Sequence, residues 1–122
     1  MSQNANVRQL LISCADSNFA LSLGGVLEAH GFVTTQAGDE ADALRLAERI
    51  RPDVIILDGG NGFETCRAMR AEAWGHAVFL IAYSASANLE QRSRALEEGF
   101  DLVFAKGRDP LALAVIIEEA MR

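Results

Sequence analysis

Pro52-Asp53-Val54-Ile55-Ile56-Leu57-Asp58 is the stretch on which the fold turns. Pro52-Asp53 interrupts the helical pattern before it. Val54 to Leu57 is a continuous apolar run with no polar alternation, and the turn residues Gly59-Gly60-Asn61-Gly62 follow Asp58. A short, unbroken apolar run bounded by turn signals suits a strand buried on both faces. Strands of that kind belong to parallel sheets whose two sides are covered by helices.

Working outward, the same unit recurs. Upstream, residues 10–12 are a short apolar run, and 17–30 carry Phe19, Leu23, Val26 and Leu27 at helical spacing, with Ser17 or Asn18 as cap and Gly31 as stop. Residues 32–35 read as a strand, and 39–49 as a helix capped by Asp39 with Ala41, Leu44, Ala47 and Ile50 on one stripe. Downstream come a helix over 63–73, a strand over 78–83, a helix over 89–98 closed by Gly99, and a strand over 102–105. Asp109-Pro110 opens a last helix, with proline in its first turn. Five strands alternating with five helices predict an α/β fold: a flavodoxin-like doubly wound parallel sheet of order 2-1-3-4-5.

The bulk properties agree. The chain has 122 residues, 50% of them hydrophobic and 23% charged, which is one domain (1–122) with a single core. Its mean hydropathy of +0.12 is too high for a disordered acidic tail. No apolar run approaches the ~18 residues of a membrane span, and residues 1–6 lack the basic start and apolar stretch of a secretory signal. Cys14 and Cys66 stand alone, so neither a disulfide framework nor a zinc site is expected, and a reducing cytoplasm fits. A net charge of −6 argues against direct nucleic-acid binding.

In doubly wound sheets chemistry gathers at the carboxyl ends of the strands. Here those ends carry Asp58 on the third strand, Ser84 on the fourth and Lys106, the single lysine of the chain, on the fifth. Each has an ordinary reading: a turn or capping carboxylate, a hydroxyl at a helix start, a solvated lysine. Together they make a chemical set. A carboxylate can attack phosphorus while a hydroxyl and an ammonium donate to the oxygens of the transferred group.

On these residues the chain resembles the receiver domain of bacterial two-component response regulators, over nearly its whole length. Asp58 matches the family's phosphoacceptor, and Ser84-Ala85 its Thr/Ser-Ala pair. Gly99-Phe100-Asp101 is similar to its Gly-Ala-Asp sequence, Lys106 to its lysine, and Gly62-Phe63-Glu64 to the start of its third helix. The resemblance implies a non-enzymatic signalling domain whose phosphoryl group is contacted by Ser84 and Lys106. Its partners would be a histidine kinase or a downstream signalling protein, with neither nucleic acid nor membrane bound directly. It also implies an interaction surface on the fourth helix, fifth strand and last helix. The apolar excess of that last helix (Leu111, Leu113, Ala114, Val115, Ile116, Ile117) suits a homodimer face.

The chain departs from the family at the metal. The family holds Mg²⁺ with two adjacent acidic residues at the end of the first strand, the phosphoacceptor, and a backbone carbonyl two residues on, here Gly60. In the gapless register Cys14 and Ala15 replace the acidic pair. In the other, Ala15-Asp16 keeps one acid but turns the first helix's apolar stripe by about 100°. The gapless register is preferred, so no cofactor is firmly expected. Mg²⁺ enters only in the alternative reading, an ordinary receiver phosphorylated on Asp58 in which Asp16, Asp58 and Gly60 hold the ion. Three further departures accompany this one. The loop after Asp58 is short, Lys106-Gly107 replaces Lys-Pro so that a trans peptide is expected, and Val103 stands where the family has its switch aromatic. Phe104 is one residue on and faces the other side of the sheet. A nucleotide module would need a glycine-rich phosphate loop after the first strand, but Gly24-Gly25 fall in mid-helix.

Overall fold

Parallel strands β1 (Arg8–Ser13), β2 (Phe32–Ala37), β3 (Val54–Asp58), β4 (Phe79–Ser84) and β5 (Leu102–Ala105) form one sheet in the order β2-β1-β3-β4-β5. Helices α1 (Ser17–Ala29), α2 (Glu40–Ile50), α3 (Gly62–Ala71), α4 (Leu89–Glu98) and α5 (Pro110–Ala120) alternate with them, which is the expected flavodoxin-like architecture. The computed structural model describes residues 8–14, 17–58, 62–85 and 88–122. Among these residues no helix is long and apolar enough to cross a membrane.

The pleat sorts the strand residues between two cores. Leu10, Ile12, Val54, Ile56, Ile81, Tyr83 and Phe104 pack with Leu23 and Leu27 of α1 and Leu113 and Ile117 of α5. Their neighbours Leu11, Ile55, Leu57, Leu80, Ala82 and Val103 pack on the other side with Ala43, Ala47, Cys66, Met69 and Ala95 of α2, α3 and α4. Residues 54–57 of β3 are buried on both faces, as the uninterrupted apolar run requires. Tyr83 and Phe104 thus share the α1–α5 side, and Val103 faces α4.

Helix ends follow local chemistry. The side chains of Asp39, Asn88 and Asp109 each accept a hydrogen bond from the first turn of their helix: Asp42 N–H at 2.8 Å, Gln91 N–H at 2.8 Å and Leu111 N–H at 3.0 Å. Gly99 ends α4 at φ 119°, a left-handed conformation that side chains disfavour.

Several boundaries differ from the sequence reading. β2 runs on to Ala37, pairing with β1 along its full length. Helix α1 already begins at Ser17, so neither Ser17 nor Asn18 is its cap, and the capping position falls outside the described residues. On α2 the buried line is Ala43 and Ala47, while Ala41 is exposed, because the helix turns that side away from the sheet. Helix α3 stops at Ala71, and a 3₁₀ turn over Ala73–Gly75 follows the extended backbone of Glu72. β4 starts at Phe79 rather than Val78, whose carbonyl accepts from the Arg70 guanidinium at 2.8 Å. Arg70 ties this whole corner together, donating also to the carbonyls of Gly75 and Gly99 and to the Asp101 carboxylate at 2.7–2.9 Å.

Candidate functional site

The topology brings the three strand ends together. Asp58 is the last residue of β3, Ser84 the last of β4, and Lys106 follows the last residue of β5. Lys106 N–H donates to the Ser84 carbonyl at 2.8 Å, which carries the β4–β5 pairing one step beyond the strand and fixes where the lysine side chain starts. Its ammonium Nζ lies 3.4 Å from Asp58 Oδ2, and both side chains are about a third exposed or less (33% and 27%). The Lys106–Gly107 peptide is trans, as expected without proline.

The same ammonium lies 5.5 Å from the centroid of the Tyr83 ring. Tyr83 is sandwiched on the α1–α5 side of the sheet: Phe19 stacks on it at 4.2 Å with 14° between planes, and Phe104 lies 6.3 Å away. Sequence reasoning placed Phe104 on that side but did not find the aromatic row. Its signal was available, since residues on adjacent parallel strands in matching register (Tyr83 and Phe104) face the same way.

On the other face a cleft of about 400 Å³ opens beside Asp58. Ser84 and Lys106 line it with Ala82, Ala85, Val103, Phe63 of α3, and Gln91, Arg94 and Ala95 of α4. The α4 contributors were not singled out from sequence, although spacing of i, i+3 and i+4 puts Gln91, Arg94 and Ala95 on one helix face.

The metal candidates are only partly visible. Ala15, Asp16 and Gly60 lie outside the described residues. Parallel pairing sets Ser13 opposite Leu57, and continuing that register by one residue puts Cys14 level with Asp58. Cys14 is partly buried and Ser13 buried. Among the described residues, no group of three His, Cys, Asp or Glu side chains is arranged to hold a metal ion, and Asp58 is the one carboxylate lining the cleft.

Comparison with known proteins sets this geometry in context. The family model for the response regulator receiver domain matches residues 15–118. The DNA-binding response regulator MtrA of Mycobacterium tuberculosis is 30% identical over 119 residues, covering 94% of this chain and 51% of its own length. The phosphate regulon transcriptional regulatory protein PhoB of Klebsiella pneumoniae is 32% identical over 101 residues, covering 80% of this chain and 44% of its own length. The chain thus spans about half the length of the curated relatives it matches. Among solved structures, the chemotaxis response regulator CheY4 of Vibrio cholerae superposes with a TM-score of 0.88 at 20% identity, covering 93% of this chain and 98% of that one. The receiver domain of the sensor histidine kinase PA1611 from Pseudomonas aeruginosa gives a TM-score of 0.83 at 27% identity, covering 92% and 95%. That structure has a magnesium ion coordinated in its active site cleft.

Proposed function

The chain belongs to the response regulator receiver domain family of two-component signalling, and on that premise we propose that it signals through protein contacts, with Asp58 at the phosphoacceptor position and the metal-holding acidic pair lost. The observation that carries this reading is the β1–β3 register, which sets Ser13 opposite Leu57 and, continued by one residue, brings Cys14 level with Asp58. Mg²⁺ takes oxygen ligands in near-octahedral geometry, and a thiol supplies none. Position 14 therefore offers no ligand to an ion of the kind that the Pseudomonas aeruginosa receiver holds.

The remaining residues have clear tasks. Asp58 is the nucleophile, and Lys106, already 3.4 Å from it, supplies the main positive charge for the incoming phosphoryl oxygens. Ser84, on the cleft wall, is the hydroxyl that donates to the group once attached. Val103 occupies the cleft side of β5, and Phe104, the aromatic residue of that strand, lies on the opposite face of the sheet. Metal bridging contributes several kcal/mol to phosphoryl transfer, about three decades in rate. Incubation with acetyl phosphate and Mg²⁺, followed by intact-mass analysis, is expected to give little or no phosphoryl adduct, and none in Asp58→Asn. Rapid stoichiometric modification of Asp58 would return the protein to the class of ordinary receivers, with Asp16 sufficient for the metal.

The partners follow from the same premise. The family works with histidine kinases, and the net charge of −6 favours a protein over nucleic acid as the direct contact. Leu89 and Leu96 on α4 and Leu111 and Val115 on α5 are each between 46% and 80% exposed, an apolar set suited to a partner or to a second copy of the chain.

A further inference from the structure

The cleft between the sheet and α4 is larger than attachment of a phosphoryl group to Asp58 requires. Its volume of about 400 Å³ lies in the range of sites for small organic ligands. Three small side chains, Ala82, Ala95 and Val103, are buried along it and leave room that larger residues would fill, while the Phe63 ring adds an apolar wall. Protein interiors are normally packed without such gaps, so space bounded by small apolar groups suits an apolar guest.

The charge of the lining is specific. Lys106 and Asp58 face each other at 3.4 Å and offset one another. Arg94 lies over the Phe63 ring at 4.8 Å, and its acidic neighbour Glu98 is 4.0 Å away. Glu98 is engaged more closely by Arg67, at 2.5 Å. Asp58, Lys106 and Arg94 together leave a surplus of one positive charge, carried by a guanidinium. The Arg94 guanidinium has N–H donors besides the Nε turned to Glu98, and a planar carboxylate can accept two parallel hydrogen bonds from such an edge. A dianion such as phosphate would exceed the single surplus charge and meet the Asp58 carboxylate in the same space.

We propose that this cleft binds a small monoanionic aryl carboxylate, its ring against Ala82, Ala95 and Val103 and its carboxylate on Arg94. The proposal stands on the cleft itself and not on whether Asp58 accepts a phosphoryl group.

Amide-resolved NMR titration of the whole 122-residue chain tests it, using benzoate, its neutral isostere benzamide, acetate and inorganic phosphate as probes. Benzoate is expected to shift the amides of Ala82, Ser84, Ala95 and Val103 saturably, with an affinity about tenfold or more above those of benzamide and acetate. Arg94→Gln is expected to reduce benzoate to the level of benzamide. Val103→Phe, which fills the cleft, is expected to abolish binding, and Ala95→Leu takes its place if that variant does not fold. The proposal is overturned if benzoate does not saturate, if benzamide binds equally well, if phosphate displaces benzoate at equal concentration, or if the filled variants bind as the parent does. An acetyl phosphate experiment that modifies Asp58 rapidly would end the functional reading above and leave this titration unaffected.

Discussion

Cys66 and Cys14 have the same side chain in opposite surroundings. Cys66 is fully buried on α3, its thiol donating to the Glu98 carbonyl at 3.4 Å, and burial pushes its pKa from 9.0 up to about 11, partly offset by the nearby Arg70. Two pH units leave about a hundredfold less thiolate, the reactive form, before access is counted. Iodoacetamide at mildly alkaline pH is therefore expected to modify the partly exposed Cys14 and spare Cys66 until denaturant is added, as read by peptide mass mapping. The same shift sets a stability trend. Between about pH 9 and 11 the folded chain keeps a proton that the unfolded chain has lost, so this contribution is complete below pH 9 and declines as pH rises through the folded value. Urea midpoints measured across that range are expected to fall. At this scale the strand-end positions of Asp58, Ser84 and Lys106 were legible in the sequence, since each follows an apolar strand run. Tyr83 and Arg94 were not, because their roles come from neighbours brought in by other elements: Phe19 of α1 in one case, Phe63 of α3 in the other.

At the scale of elements, the turn after α3 is the most sharply constrained feature. A Cβ added at Gly75 would lie 1.8 Å from the carbonyl oxygen of Met69, a backbone atom with no freedom to retreat. Arg70 donates to the Gly75 carbonyl from the same corner, so movement there also strains its bonds to Val78, Gly99 and Asp101. Gly75→Ala is expected to cost about 2 kcal/mol or more of stability, visible as a lower denaturant midpoint with an unchanged slope. By contrast Gly25→Ala, where an added Cβ meets nothing within 4 Å, is expected to stabilise α1 by about 0.5–1 kcal/mol. The sequence made the regular elements readable through their periods: β5 and α4 have their expected limits, because Gly99 and the apolar run at 102–105 are local signals. The end of α3 was not readable, because no glycine or proline marks it: the chain leaves the helix after Ala71 through the extended backbone of Glu72 (φ −86°, ψ 145°), where the sequence offers no local stop.

At the scale of the whole molecule, the sheet carries Asp58, Ser84 and Lys106 at one end and packs helices on both faces. The face built by α5 buries Leu113, Ala114 and Ile117 and leaves Leu111 and Val115 outward at 46% and 48% exposure. The apolar excess read from the sequence therefore divides into core and surface, a division that periodicity alone could not make because almost every position of this helix is apolar. Self-association through the α4–α5 face is expected to appear as a concentration-dependent mass in size-exclusion chromatography with light scattering. Leu111→Glu together with Val115→Arg is expected to abolish it, and a strict monomer at high concentration counts against that surface.

The role of the first strand's end is tested most directly by rebuilding it. The rate of Mg²⁺-dependent phosphorylation by acetyl phosphate can be compared between the parent chain and the double variant Cys14→Asp, Ala15→Asp. With a lost acidic pair, the parent reacts slowly and its rate is indifferent to Mg²⁺. The double variant then gains Mg²⁺ dependence and a rate higher by about two to three decades. A parent chain that is already fast and Mg²⁺-dependent, and gains nothing from the two carboxylates, would contradict the loss of the metal site.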